Sequence, residues 1–356
     1  MNRLRALTRT PWFWGIVGIA VLLLVNTIKD PTYLAVGINP TTGQLSGNVL
    51  DILRVSAPIV MIALGMTFVI ATSGIDLSVG SVMAVGGAVA MVTLSNLGQP
   101  DSVGAMLTAI GLAIALGALL GAVNGFLVSV VGLQPFITTL VMMLAGRGIA
   151  RVITGGQNTN AENAPFRALA NGQFLGLPLS FVLAIVIVIA VSVVMRRTAL
   201  GLMIESIGIN PRASRLAGIR PRPILITVYV LSAVLAATGG LFTVSEVMTV
   251  DVSGTGYQME LDAILAVVIG GTSLAGGKFS IVGSTVGALL IATLNKTVLF
   301  LGVSAAATPA FKAIVIVALV LLQSERVRAL VLHRGNRPQT PAAPLAEPAQ
   351  PKEVVA

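Results

Sequence analysis

The feature that most constrains this chain is the recurrence of long charge-free runs: Trp12 to Ile28, Val55 to Ile75, Ser102 to Gly146, Ala168 to Met195 and Pro223 to Ser245. About 20 apolar helical residues cross a bilayer core, so each run can span, and Ser102 to Gly146 can span twice. Of 356 residues, 55% are hydrophobic and only 10% charged, with a mean hydropathy of +0.95, more apolar surface than a water-soluble core can hide. The solvent for most of this surface is therefore lipid.

The net charge of +9 does not indicate nucleic acid, because the basic residues fall between apolar runs instead of clustering on one soluble face. With no cysteine, disulfides and thiolate metal sites are excluded. The only histidine, His333, lies in a polar tail, so no histidine-based triad or zinc site can be built. Arg3, Arg5 and Arg9 ahead of the first run resemble a signal peptide, but Asn26, Thr27, Ile28 and Lys29 offer no small-residue cleavage site. A retained first helix is expected.

Punctuated by Pro, Gly and polar clusters, the chain reads as an all-α polytopic protein with about ten spans, near 11–29, 48–71, 79–97, 104–131, 135–154, 175–195, 222–244, 259–273, 279–299 and 308–324. The domain map is a short N-terminus (1–10), a transmembrane domain (11–324) with a long loop at 196–222, and a Pro/Ala-rich tail (325–356) expected to be disordered. Gly132, Leu133, Gln134 and Pro135 cut the longest run, since proline lacks the N–H a helix interior needs and fits a first turn.

With the N-terminus inside, 15 of the 22 basic residues fall on the cytoplasmic side. The remaining seven (Lys29, Arg54, Arg147, Arg151, Arg167, Lys296 and Lys312) fall outside or at outer helix ends. That bias predicts both termini in the cytoplasm. Two spans look short, the one after Asp262, broken at Gly276-Gly277, and the one after Lys312; short or interrupted spans in a transporter point toward the substrate path. Gly37-Ile38-Asn39-Pro40 with Leu45 and Gly47 recurs as Gly208-Ile209-Asn210-Pro211 with Leu216 and Gly218, a local echo of the kind an inverted repeat leaves. Gly117, Gly121 and Gly125, and Gly283 with Gly287, repeat every four residues and let helix backbones approach closely in lipid.

No engine is visible. Gly271 to Phe279 imitates a phosphate-binding loop but has the wrong glycine spacing and Phe279 where Ser or Thr must bind magnesium. The acids, among them Asp51, Asp76, Glu246, Glu260 and Asp262, sit near helix ends or in loops, which disfavours a proton- or sodium-driven carrier. The driving force is expected from another chain.

Within the loop at 196–222, Asn210 can cap, Pro211 suits the first helical position and Gly218 can stop the helix in a left-handed turn. The result is a two-turn helix outside the membrane. Arg212 and Arg215 share one of its faces, either against anionic lipid head groups or as part of a docking knob. Thr72 to Ser81 holds a lone Asp76 among small residues (Gly74, Ser78, Gly80); Asp76 or Ser78 can cap the next helix, and a shaped cytoplasmic mouth is compatible with that. Arg147, roughly 20 Å along its span, must face water or pair, as a structural ion pair or a substrate contact. Polar side chains that a path could use are Asn124, Thr138, Thr139, Arg147 and Asn295.

Four segments, Gly65 to Gly87, Gln134 to Ala150, Thr198 to Ile219 and Glu260 to Ser280, together resemble the ribose/monosaccharide ABC permease family over most of the chain. The wording at Gly146 to Gln157, Thr198 to Gly201 and Gly208 to Ala213 is most similar to galactofuranose permeases. The resemblance implies a vitamin-B12-importer-like (type II) permease with inverted repeats. It also implies a second permease subunit, identical or not, a periplasmic sugar-binding protein, and a cytoplasmic ATPase that holds ATP and Mg, with no cofactor in this chain. The helix at Asn210 to Ala217 (Asn210, Pro211, Arg212, Arg215, Leu216, Gly218) falls where such permeases dock into the ATPase. Ser73 stands where the family pattern leads one to expect Gly, a change of little expected consequence for the turn. A secondary transporter or channel, and a branched-chain amino acid permease, are the competing classes; the GIDLSVG wording favours sugars.

Overall fold

The computed structural model describes residues 10–40, 43–304 and 306–323, and every structural statement here refers to those residues. The polar tail, His333 and the N-terminal arginines lie outside them. Eight helices are long and apolar enough to cross a membrane: α1 (Pro11–Lys29), α2 (Asn48–Ala71), α3 (Val79–Leu97), α4 (Val103–Phe126, continued by a π turn at Leu127–Val131), α5 (Pro135–Ile153), α7 (Leu179–Arg197), α10 (Pro221–Val247) and α12 (Ile281–Leu301). Two shorter helices, α11 (Met259–Ile269) and α13 (Thr308–Gln323), lie at the other two expected positions, and neither is long and apolar enough to cross a membrane by itself. Outside these lie α6 (Ala164–Asn171), α8 (Leu200–Ile209) and α9 (Pro211–Leu216).

Local chemistry accounts for the boundaries. Proline opens α5 and α10, where its missing N–H costs nothing. Ser102 and Ser280 cap α4 and α12 by accepting the N–H of Ala105 (3.1 Å) and of Gly283 (3.0 Å). Gly132, at φ +84°, ends the π turn and releases the chain toward Pro135, as the punctuation predicts. Three two-stranded antiparallel ribbons close the loops: β1 (Gly37–Ile38) with β2 (Leu45–Ser46), β3 (Thr159–Asn160) with β6 (Thr249–Val250), and β4 (Gln173–Phe174) with β5 (Leu177–Pro178).

Helices α2, α3, α10 and α12 form the interior, with α2 buried almost throughout, whereas α1, α4, α5 and α7 turn most of their apolar surface outward. Small residues allow the close approach. A side-chain carbon added at Gly121 would lie 2.6 Å from the Tyr229 carbonyl oxygen, and one at Gly125 would lie 2.7 Å from the Cα of Ile226, both on α10. Gly283 and Gly287 of α12 meet the carbonyls of Gly270 and Ala266 in the same way.

Three expectations are corrected. The helix expected from residue 175 starts at Leu179, because the β4–β5 hairpin, turned through Leu175 and Gly176, occupies the preceding residues. The span expected at 259–273 ends at Ile269; eleven residues rise about 16 Å, half a bilayer core. The Gly37/Gly208 echo is not a structural repeat, since the first copy is the β1–β2 ribbon and the second is a helix end and a helix.

Candidate functional site

At one end of the bundle the turn 72–78 ties five segments together. Ser73 is left-handed at φ +63°, a region that explains the expectation of glycine. Its consequence is larger than the sequence suggests: Ser73 Oγ lies 3.0 Å from the Gly208 carbonyl oxygen and 2.9 Å from that of Ala275, sharing one proton between α8 and the turn 270–280. Gly277 N–H donates to the Ala71 carbonyl at 2.9 Å. A side chain at Gly208 would collide with that same Ala71 oxygen and reach within 2.6 Å of Gly277 N, so α8 rests backbone-on-backbone against the end of α2.

Asp76 is 1% exposed. Its carboxylate accepts the Ser78 N–H (2.9 Å), the Ser78 hydroxyl, and the Ser232 hydroxyl of α10 (3.0 Å). Asn124 of α4 donates to Ser78 Oγ at 2.9 Å, and Thr139 of α5 donates to the Ile75 carbonyl at 3.0 Å. Asp76 thus shapes the turn ahead of α3 and also reaches α10, which the capping expectation missed; as a buried group it lines no open mouth. Gly74 leaves room for the Tyr229 hydroxyl, 2.9 Å from where its Cβ would stand. Gly74, Asp76, Ser78, Asn124 and Thr139 therefore meet in one buried knot, while Thr138 donates within its own helix to Gln134 (3.1 Å).

A second cluster surrounds Arg147. Its guanidinium donates to the carbonyls of Thr255 (2.6 Å) and Gly256 (2.7 Å), and no ion pair reaches it among the described residues. The geometry is not an ion pair: Arg147 satisfies the non-helical 251–258 segment that precedes the half-length α11. Buried irregular backbone beside lipid needs such donors. Gly80 permits the approach, because a Cβ there would meet Glu260 Oε2 and the Gly256 carbonyl oxygen. Outside the spans, Asp251 accepts the Ser253 N–H at 2.9 Å, and backbone N–H groups of Ser253 and Gly254 hold its carboxyl below the usual range.

Arg147→Gln is expected to lower stability by about 2–4 kcal/mol, the loss of two charge-assisted bonds to buried carbonyls, with Arg147→Lys recovering part. Thermal unfolding in detergent checks this. An unchanged melting temperature with lost uptake would assign Arg147 to the substrate instead.

A third cluster lies among α2, α11, α12 and α13. Asp51 pairs with Lys296 (2.8 Å) and Arg54 (3.7 Å), and Asp262 with Lys312 (3.2 Å) and Asn295 (3.2 Å). Sequence reading placed these acids at helix ends and missed their partners; the signal was the two lysines inside apolar spans, which cannot stay unpaired in lipid.

Beyond the knot, the loop 196–222 holds two helices, not the single one expected. Asn210 caps α9 by accepting the N–H groups of Arg212 (3.0 Å) and Ala213 (3.1 Å), and Gly218 follows at φ +85°, as its residues predict. Arg212 and Arg215 are exposed. So are Leu202 (70%), Ile209 (70%) and Leu216 (91%), a row of large apolar side chains outside the spanning helices.

The family described as "Branched-chain amino acid transport system / permease component" matches residues 48–323. The chain belongs to this family. It is a polytopic membrane permease of the type II ABC fold. It is 51% identical over 333 residues to the fructose import permease protein FruF of Bifidobacterium longum, covering 92% of each chain. The galactofuranose transporter permease protein YtfT of Escherichia coli is 39% identical over 326 residues, 91% of this chain and 93% of that one. The ribose import permease protein RbsC of the same species is 39% identical over 317 residues, 88% and 93%. No solved structure matches.

Proposed function

We propose that this permease is the membrane subunit of an ATP-driven importer for a monosaccharide, with both termini in the cytoplasm of a bacterial inner membrane. The observation that carries the coupling is the α8–α9 pair. Its exposed Ile209 and Leu216 are the groups a protein partner would cover, and Ser73 and Gly208 join it rigidly to the knot. ATP and Mg then reside on a separate ATPase docked there, and a sugar-binding protein delivers the solute from the opposite side. A second permease subunit, identical or not, completes the path.

The named functions of the relatives support a sugar over an amino acid, despite the family's description. The higher identity to the fructose permease moves fructose ahead of galactofuranose and ribose as the first solute to test. The purified chain alone in liposomes should hydrolyse no ATP and take up no sugar down an ion gradient. Adding the ATPase and binding protein should confer ATP-dependent uptake of one of these sugars, with at least a tenfold preference. Gradient-driven uptake by the chain alone would sink the reading.

A further inference from the structure

Where α7 ends, two clefts meet. One, of about 440 Å³, lies between the end of α7, α8 and the start of α12, and its wall includes Arg196, Thr198, Glu205 and Ser280. The other, of about 450 Å³, runs along α7 from Val188 past Val193 to Arg196 and Arg197. Arg196, Ile281 and Val282 line both, so the polar cleft opens into the apolar one. Thr198 and Ser280 are engaged locally: the Thr198 hydroxyl donates to the Val194 carbonyl (2.7 Å), and Ser280 Oγ caps α12. Arg196 and Glu205 are not paired with each other or with any other charge among the described residues. Ile189, Val193 and Val282, which border the apolar cleft, are half exposed or more, the first two on the outer helix α7 and Val282 at the start of α12.

We propose that the joined clefts bind a zwitterionic phospholipid bearing a primary amine, its phosphate on Arg196, its ammonium on Glu205 and one acyl chain along α7. Three features select this occupant. Opposite charges lining one cleft without pairing call for a ligand that carries both signs. The eight helical steps from Val188 to Arg196 give roughly 12 Å of largely apolar wall directly below the charges, where an acyl chain must lie. An arginine at the end of a spanning helix sits at head-group depth, where its guanidinium can take two phosphate oxygens at once. A quaternary ammonium has no N–H to donate to Glu205, so the cleft should distinguish phosphatidylethanolamine from phosphatidylcholine. The inference depends on α7 crossing lipid and not on which solute is carried.

The test is native mass spectrometry of the full chain, stripped of lipid in detergent and offered equal amounts of phosphatidylethanolamine, phosphatidylcholine and phosphatidylglycerol. Phosphatidylethanolamine should be retained preferentially. Arg196→Gln and Glu205→Gln should each cut its retention about fivefold, the effect of one charge at a membrane surface, while Arg196→Lys keeps most of it. Arg196 is exposed and Glu205 half-buried, and glutamine approximates the size of either, so elution and melting temperature should stay unchanged, which separates lost lipid from lost fold. Preference for phosphatidylglycerol, strengthened by Glu205→Gln, would overturn the proposal in favour of a simple anionic site. Equal retention of all three lipids would overturn it too. So would variants that weaken ATPase co-purification and leave lipid retention intact, since the face would then be a protein interface.

Discussion

Leu216→Asp is expected to release the ATPase from this permease and to reduce solute-stimulated ATP hydrolysis to its basal rate. Leu216 is 91% exposed on a two-turn helix that is capped by Asn210, opened by Pro211 and stopped by Gly218. Burying a leucine contributes about 1.5–3 kcal/mol, and a carboxylate forced into the same apolar groove adds a desolvation cost of similar size. A loss of about 3 kcal/mol or more weakens docking by at least roughly 100-fold. So exposed a side chain has little contact to lose among the described residues, so the permease itself should fold and melt as before. Co-purification of the ATPase and its stimulated activity are the measurements. A paired change, Arg212→Gln with Arg215→Gln, separates the alternatives left open for this helix: if it alone weakens membrane association while Leu216→Asp changes nothing, α9 serves lipid and not an ATPase.

Gly208→Val should have the other large effect, and of a different kind. The position faces the Ala71 carbonyl oxygen and Gly277 N, both backbone atoms of a packed turn, so neither can swing aside as a side chain could. Overpacking of this sort costs about 1–3 kcal/mol, and it would lift α8 away from Ser73, whose hydroxyl reaches the Gly208 carbonyl. The docking surface of α9 stays intact. The expected phenotype is therefore a permease that melts several degrees lower, still retains the ATPase, and no longer transmits solute occupancy to hydrolysis. Unchanged melting and unchanged stimulation would show that α8 does not work through this contact.

The two variants also mark how far the sequence could be read. The start, cap and stop of α9 are local properties: Asn210, Pro211 and Gly218 act on backbone groups within three residues, so their positions alone predict the helix. Leu216 was legible for the same reason. In the sequence Gly208 shows only a local echo and a family motif, because what matters there is the absence of a Cβ against a carbonyl 137 residues earlier in the chain. Ser73 was set aside as a tolerated departure, although its hydroxyl bridges residues 135 and 202 positions away. Asn124 and Thr139 are polar side chains that the sequence offers to a substrate path; whether such a group faces a path or a buried partner depends on which helix lies opposite.

By itself the sequence determined the solvent and, to within a few residues, the positions of the eight long spans. Apolar run length against bilayer thickness is a one-dimensional comparison, and proline, glycine and capping residues act over a single turn. It could not determine which spans are interior. Helix α7 is the more hydropathic of the pair α2 and α7, yet it lies at the edge and α2 at the centre. In water the apolar face of a helix points to the core, but lipid is as apolar as the core, so hydrophobicity carries no direction and small residues and hydrogen bonds decide instead. The tertiary structure alone joined the turn 72–78 to α4, α5, α8 and α10, set Arg147 against two carbonyls, and brought Arg196 and Glu205 to one cleft. Each brings together groups far apart in the chain, and only the packing assigns which of them meet.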